Sequence, residues 1–559
     1  MAVTPLRTAE GHDGVDPDPI RRALRGVSSV LGRVACALAP AAGSLGTDGS
    51  CRRGASGNLA GIAEIVDEGG IGVPAGICPA GGSVLVRVGD GRPVSIGKGN
   101  NLTSRSAQST HGTRRPNIKL EDLPEDVLDR VFSKLQLNEV VRTSVLSSKW
   151  RLMWAISSKL RLDGPTICGR PRYFCNKPNY TKEFIDGVNT VLQQLHGKVV
   201  EELDVKIEFE SILVDHLNNW ISFAVSSLMK NLVLDLAPAK FVDEKDRYMF
   251  PIELFDGASI SRIQHIKLSC VSFRPRSLFR GFPNLRKLDL HLFDASEMEL
   301  DDMLSGCANL EWLSFIRCQV NDELKVKQPL SRLLYLRIAH CSIKKVELHA
   351  KNLKTFVYRG VQLPIDLGEV KKLETAELRL YGVTFEYVLS VLPSVLPGVQ
   401  NFTLKTSYLP EMPLLLENIG KFSQLRFLRL LLRVHCSESN NILSLASFLR
   451  AAPLIEEVEV HFDAFCLQRV GWGSLRSLPP HSYNYLRKVH ITGFIGIMGQ
   501  LEFLAHIVEN APALRILNID PRKKLGNCTC SASDFVAIRA SVTSKLAGKI
   551  LPGTEVNIL

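Results

Sequence analysis

The sequence predicts an α/β protein: a curved parallel sheet of stacked repeats, preceded by a short three-helix module and a disordered N-terminal tail. Three observations carry that prediction. One apolar phrase returns thirteen times between residues 200 and 519, helical apolar spacing is compressed into 118–165, and residues 1–117 contain no Phe, Tyr or Trp. At 559 residues the chain is too long for one ordinary core, and a long repeat array accommodates that length without one.

The tail comes first. Residues 1–117 hold 21 of the 41 glycines, and the first aromatic side chain of the chain is Phe132. Without aromatic anchors the burial gain does not offset the entropy of ordering so glycine-rich a backbone, so disorder is expected. "GRPVSIGKG", Gly91 to Gly99, approaches a phosphate-binding loop but fails on spacing, and Gly99 stands where a hydroxyl would hold magnesium. The apolar stretch "VSSVLGRVACALAPAAG" is broken by Arg33, which argues against a secretory signal, and no apolar run is long enough to span a membrane. The 13 cysteines have no paired spacing, as expected of reduced thiols in the nucleus or cytoplasm. The net charge of +11 is spread without a dominant basic block, so nucleic acid is not an expected partner.

The three-helix module occupies 118–165. Pro124 suits a first helical position, Glu125 and Asp126 suit the positive end of the helix dipole, and Leu128, Val131, Phe132 and Leu135 follow at helical spacing. Asn138 can cap a second helix carrying Val141, Val145 and Leu146. Ser147 or Ser148 can cap a third with Trp150, Met153 and Trp154 on one stripe. So small a module buries too little to stand alone. It either leans on the chain that follows or completes its core against a partner.

"LPEDVLDRVFSKL" followed by "VVRTSVLSSKWRLMW" resembles the F-box of plant F-box proteins, with a Leu-Pro opening, a central Val-Arg-Thr-Ser-Val-Leu and a Trp four residues before another. Ser148 departs from the family's basic pair before Trp150. The resemblance implies binding of a Skp-type adaptor and, through it, a cullin scaffold, with no chemistry in the module itself. Carried over, the adaptor contacts are Leu123, Pro124, Leu128, Leu135, Val145, Leu146 and Trp150. Leu128 and Val145 read equally well as internal core.

After a linker at 166–199, the phrase apolar-x-x-apolar-x-apolar recurs from "VEELDV" at 200 to "LRILNI" at 514, at spacings of 20 to 34 residues. Pattern and period are those of leucine-rich repeats, expected over 200–480. The closing alternation makes a short strand whose apolar side chains enter the core while the residue between them faces out. Cys318 and Cys341 fall where such repeats place Asn or Cys and read as structural. Stacked strands give a concave face, whose outward residues include Lys267, Asp289, Ser314, Arg337, Glu377, Arg379, Thr403, Arg429, Glu459 and His490. Of these, Lys267, Asp289, Arg337, Arg379, Arg429, Glu459 and His490 are the candidates for target binding. Taken singly, each also reads as ordinary solvated surface, and the set shows no aromatic cluster.

Residues 481–559 continue the repeats and resemble the FBD module that follows them in many plant F-box proteins. "YLRKVHITGFIGIMGQLEFLAHIVENAPALRILNIDP" reads as strand, turn, helix and strand, with Leu501, Leu504, Ala505 and Val508 on the helical stripe. No His-Asp-Ser or Cys-His set and no metal-ligand spacing stands in a recognisable context, so neither an enzyme nor a cofactor is expected. The expected role is the substrate-recognition subunit of a Skp-cullin-F-box ubiquitin ligase, binding an unidentified target protein. The alternative is a repeat scaffold or ligand sensor not coupled to ubiquitination.

Overall fold

A computed structural model describes residues 158–559, apart from 169–176, 239–245, 276–278, 407–414, 417–419, 435–441, 465–473, 523–531 and scattered single or paired positions. The tail, the docking module up to residue 157 and all seven candidate adaptor contacts lie outside the described residues.

Every recurrence of the apolar phrase ends in a strand, and all of them join one parallel sheet of 15 strands in sequence order. In chain order these are β1 (Lys159–Asp163), β2 (Glu202–Lys206), β3 (Asn231–Asp235), β4 (His265–Ser269), β5 (Lys287–His291), β6 (Trp312–Ile316), β7 (Tyr335–Ala339), β8 (Thr355–Val361), β9 (Thr375–Tyr381), β10 (Asn401–Thr406), β11 (Phe427–Val434), β12 (Glu457–Ala464), β13 (Lys488–Thr492), β14 (Ile516–Asp520) and β15 (Glu555–Ile558).

The two end strands escape the phrase for one reason. Ser157 and Gly553 stand where its leading apolar residue would be, although Leu160, Leu162, Val556 and Ile558 keep the alternation. The stretch read as a linker contains a helix, α1 (Lys177–Gln194). It packs on α2 (Val214–Ser226) through an edge-on contact between Phe184 and Trp220, with ring centroids 6.0 Å apart. Trp220 Nε1 also donates to Asn189 Oδ1 at 3.0 Å.

Inward positions are closed to solvent from end to end: Leu203, Leu232, Leu288, Leu336, Phe402, Val458 and Leu517 lie in one continuous apolar core. Behind the early strands, Phe250, Phe255, Phe273, Phe279, Phe282 and Phe293 form a run of ring contacts with centroids 5.3–6.4 Å apart. Such pairs add to the area they bury. The helix α3 (Glu297–Ser305) begins with a capping box between Ser296 and Glu299, which satisfies two backbone donors that would otherwise lack partners.

Four strands have a non-glycine residue in the left-handed region immediately after them: Cys270 (φ 61°), Leu292 (φ 51°), Arg317 (φ 51°) and His340 (φ 57°). Each uses its backbone N–H to extend the ladder, donating to a carbonyl of the next strand: Cys270 to His291, Leu292 to Ile316, Arg317 to Ala339 and His340 to Arg359, at 2.7–2.9 Å. After β13 the same corner falls on Gly493 (φ 65°), where a Cβ would stand 2.0 Å from the Phe462 carbonyl oxygen. Only glycine fits there.

The C-terminal region has the expected strand, turn, helix and strand. Helix α4 (Met498–Asn510) buries Leu501, Leu504, Ala505 and Val508, and with them Gln500, Glu502 and His506. Each polar group is satisfied. Glu502 accepts from Arg476 Nε at 2.9 Å, from its terminal nitrogen at 2.7 Å and from its backbone N–H at 3.0 Å. Gln500 accepts from the Ile495 and Gly496 backbones. His506 Nε2 lies 2.9 Å from the Tyr483 hydroxyl. A last helix, α5 (Ala532–Leu546), precedes β15.

Candidate functional site

Parallel register aligns the repeats residue for residue, so the middle outward position of each strand falls into one column across the open face of the sheet. Lys267, Asp289, Ser314, Arg337, Val357, Glu377, Thr403, Arg429, Glu459 and His490 are successive cross-strand partners. Six of the seven candidate residues are therefore brought together in one line. Arg379 is not in that column: it lies two positions further along β9, between Arg359 and Lys405. Ser314 keeps the outward register but is buried, because its short side chain sits between the longer Asp289 and Arg337.

Two aromatic side chains stand beside that column, at an outward position outside the predicted set. Trp312 and Tyr335 occupy the first outward position of β6 and β7 and stack with centroids 3.5 Å apart and planes 7° from parallel. Lys287 lies over the Trp312 ring at 4.7 Å, and Trp312 Nε1 donates to Asp289 Oδ1 at 2.8 Å. The signal was present in the third letter of the phrases "LEWLSF" and "LLYLRI", which is outward as the fifth is.

The open face is charged along its length. On β1–β5 its cations face carboxylates on the same or a neighbouring strand: Arg161 reaches Asp163 and Asp204, Lys206 and Lys267 converge on Asp235, and Lys287 reaches Asp289, at 2.9–3.8 Å. The same holds on β11–β13, where Arg429 Nε donates to Glu459 Oε2 at 2.6 Å, Arg433 lies 3.6 Å from Asp463 and Lys488 donates to Glu457 at 2.6 Å. There His461, buried on this face, sets Nδ1 2.8 Å from the Thr492 hydroxyl and Nε2 3.4 Å from Glu459.

On β7–β10 the outward positions include Arg337, Arg359, Glu377, Arg379 and Lys405. Glu377 accepts from Arg359 at 3.2 Å, and the Arg379 guanidinium lies over the Tyr381 ring at 5.4 Å. The Nε groups of Arg337 and Arg359 are buried and have no hydrogen-bond partner among the described residues.

Burial pushes the Asp289 carboxyl up, but the His265 imidazole 3.7 Å away, the nearby Lys287 and the hydrogen bond from Trp312 outweigh it and hold the group below its ordinary value. Glu459 behaves alike: burial raises it, and Arg429 and His461 bring it below the usual carboxylate range. Both stay ionised. Cys318 is buried, its thiol directed at the Leu290 carbonyl 3.3 Å away, and its backbone N–H meets the Cys341 sulfur at 3.4 Å. Burial pushes the Cys318 thiol up, in keeping with a structural rather than a reactive group. Among the described residues no cluster of His, Cys, Asp or Glu is placed to hold a metal ion, and no helix is long and apolar enough to cross a membrane.

A parallel sheet of stacked repeats with a polar open face defines a repeat solenoid. The family model described as the At1g61320/AtMIF1 LRR domain matches residues 191–545, and the F-box domain model matches 120–162. The chain belongs to the plant F-box/leucine-rich-repeat family. It is 24% identical to the F-box/FBD/LRR-repeat protein At1g13570 of Arabidopsis thaliana over 72% of this chain and 90% of that one. It is 23% identical to the FBD-associated F-box protein At1g61320 of the same plant, over 75% and 92%.

Proposed function

We propose that this chain is the substrate-recognition subunit of a Skp-cullin-F-box ubiquitin ligase: residues 118–165 dock a Skp-type adaptor, the repeats hold a target protein, and the chain itself performs no catalysis. The observation that supports the reading most directly is the pairing of an F-box match at 120–162 with a long repeat match at 191–545, the chain order expected of an adaptor-docking module followed by target-holding repeats. Leu123, Pro124, Leu128, Leu135, Val145, Leu146 and Trp150 make the adaptor contact in this proposal. Lys267, Asp289, Arg337, Arg379, Arg429, Glu459 and His490 contribute to the target face. The working compartment is the nucleus, the cytoplasm or both.

The test is affinity purification under proteasome inhibition. A Skp-type adaptor and a cullin should co-purify, and a trapped target should carry ubiquitin and rise in abundance when the chain is removed. Recovery of repeat-bound proteins with no adaptor would instead identify a scaffold.

A further inference from the structure

We propose that Cys318 and Cys341 form an oxidative modification site: a hydroperoxide oxidises Cys341, Cys318 closes a disulfide onto it, and the bond fastens the β6 repeat to the β7 repeat. The register carries the inference. Ile316 and Ala339 are cross-strand partners, so Cys318 and Cys341, each two residues further on, leave neighbouring strands at the same level. Such strands lie about 4.8 Å apart, inside the roughly 4.4–6.8 Å between Cα atoms that a disulfide bridges. The Cys341 sulfur accepts the Cys318 backbone N–H at 3.4 Å, which directs that side chain at its neighbour. Both residues are free thiols.

The two thiols differ in a way that assigns each a part. Cys318 is buried and Cys341 part-exposed. Burial pushes the Cys318 thiol up, whereas at Cys341 the neighbouring Cys318 thiol and backbone N–H outweigh burial and bring the group below its ordinary value. Cys307 shows the contrast: burial takes its thiol to about 11, and it donates to the Met303 carbonyl at 3.0 Å. The thiolate is the nucleophile, so Cys341 attacks first. Its sulfur bonds one peroxide oxygen as the O–O bond breaks; the other oxygen leaves as water with the proton Cys341 gave up, and the sulfur becomes a sulfenic acid. The Cys318 thiol then attacks that sulfur. The S–S bond forms, the S–O bond breaks, and the hydroxyl leaves as water with the Cys318 proton. Two thiols and one hydrogen peroxide thus give one disulfide and two waters. The step takes Cys318 off the Leu290 carbonyl, 3.3 Å away in the reduced chain.

The experiment treats the full chain, reduced and native, with hydrogen peroxide, blocks the remaining thiols with iodoacetamide and maps tryptic peptides by mass spectrometry without reductant. Cleavage after Arg317, Lys325, Arg337 and Lys344 isolates the two cysteines in "CQVNDELK" and "IAHCSIK". These should appear as one linked species, two hydrogens lighter than their sum, which dithiothreitol splits. The linked chain should unfold at a higher urea concentration than the reduced one, since the bond closes a loop between residues 23 positions apart. Single variants test the two parts. In Cys318→Ser, Cys341 should stop at the sulfenic acid and take up dimedone; in Cys341→Ser, Cys318 should stay unlabelled. The unmutated chain oxidised in urea is a control that depends on neither variant folding, and there the linked species should fall several-fold. No linked species in the native chain, equal linkage in urea, a linked chain that unfolds at lower urea than the reduced one, or dimedone on Cys318 in place of Cys341 overturns the proposal. None of these readouts involves an adaptor or a target, so the ligase reading stands or falls separately.

Discussion

The central repeats, β6–β10, and the C-terminal ones, β12–β14, are written in the same phrase and place their polar chemistry on opposite sides of the sheet. Behind the central strands the core is Leu, Ile and Phe, with Phe315, Phe356, Phe385 and Phe402 fully buried, and the charge lies outside. Behind the C-terminal strands the core itself contains Glu502, Gln500 and His506, each held by named partners, and the open face above is paired. A buried polar group with all its partners inside the chain specifies structure. The same backbone thus carries a polar fastening within its core at one end and an apolar core under a charged open face in the middle.

The largest effect that would sharpen this contrast is at Glu502. Its carboxylate is buried and held by Arg476, so Glu502→Ala should destabilise the C-terminal repeats by about 3–5 kcal/mol, the usual cost of breaking a buried pair. Hydrogen exchange of α4 measures the loss; the joint replacement Arg476→Met, Glu502→Leu should recover much of it. In the centre the comparable change is apolar. Leu336→Ala, at a fully buried position, should cost about 2–5 kcal/mol through transfer and cavity terms, seen as a lower denaturant midpoint. A cost below about 1 kcal/mol would mean that the central core is not packed as described.

Acid should act on the C-terminal region through His506. Burial, with Arg450 nearby, lowers its pKa to about 4. The unfolded chain takes up that proton near pH 6.5 and the folded chain only near 4, so between those values the unfolded state binds more protons and stability falls as pH falls. The contribution is whole above about pH 6.5, and at about 1.4 kcal/mol per pH unit up to about 3 kcal/mol is lost by pH 4. Exchange of α4 at pH 7.5 and pH 5 should show the loss, and His506→Gln should flatten it.

For the docking module, Leu123→Ala with Pro124→Ala should weaken adaptor binding by about 2 kcal/mol or more, while Lys149→Ala should cost well under about 1, both by titration calorimetry. The smallest effect belongs to the open face. Arg337→Glu with Arg379→Glu should shift stability by only about 0.5 kcal/mol, yet abolish target capture if the central face is where the target sits. A large drop in melting temperature would show that these arginines hold the fold instead.

Thirteen of the strands could be read from the sequence because burial on one face of a strand writes a period of two into it. β1 and β15 could not, since Ser157 and Gly553 interrupt the longer phrase. The middle outward column was legible residue by residue, because the same alternation fixes it. The Trp312–Tyr335 stack was missed for want of reading the neighbouring outward position. The pairing of charges across the open face was beyond reach for a different reason: it depends on which strands are neighbours and in what register, and spacing alone does not state that. Arg476 and Glu502, 26 residues apart in sequence, illustrate the same limit.

The left-handed residues after β4–β7 carry one more consequence. Leu292, Arg317 and His340 adopt a conformation that side chains disfavour by about 1–2 kcal/mol, and each does so while donating to the strand of the following repeat. The corner is therefore a property of adjacency. A single repeat excised as a peptide should relax out of it, and a fragment made of several consecutive repeats should regain it at every junction except the last, where no successor offers a carbonyl.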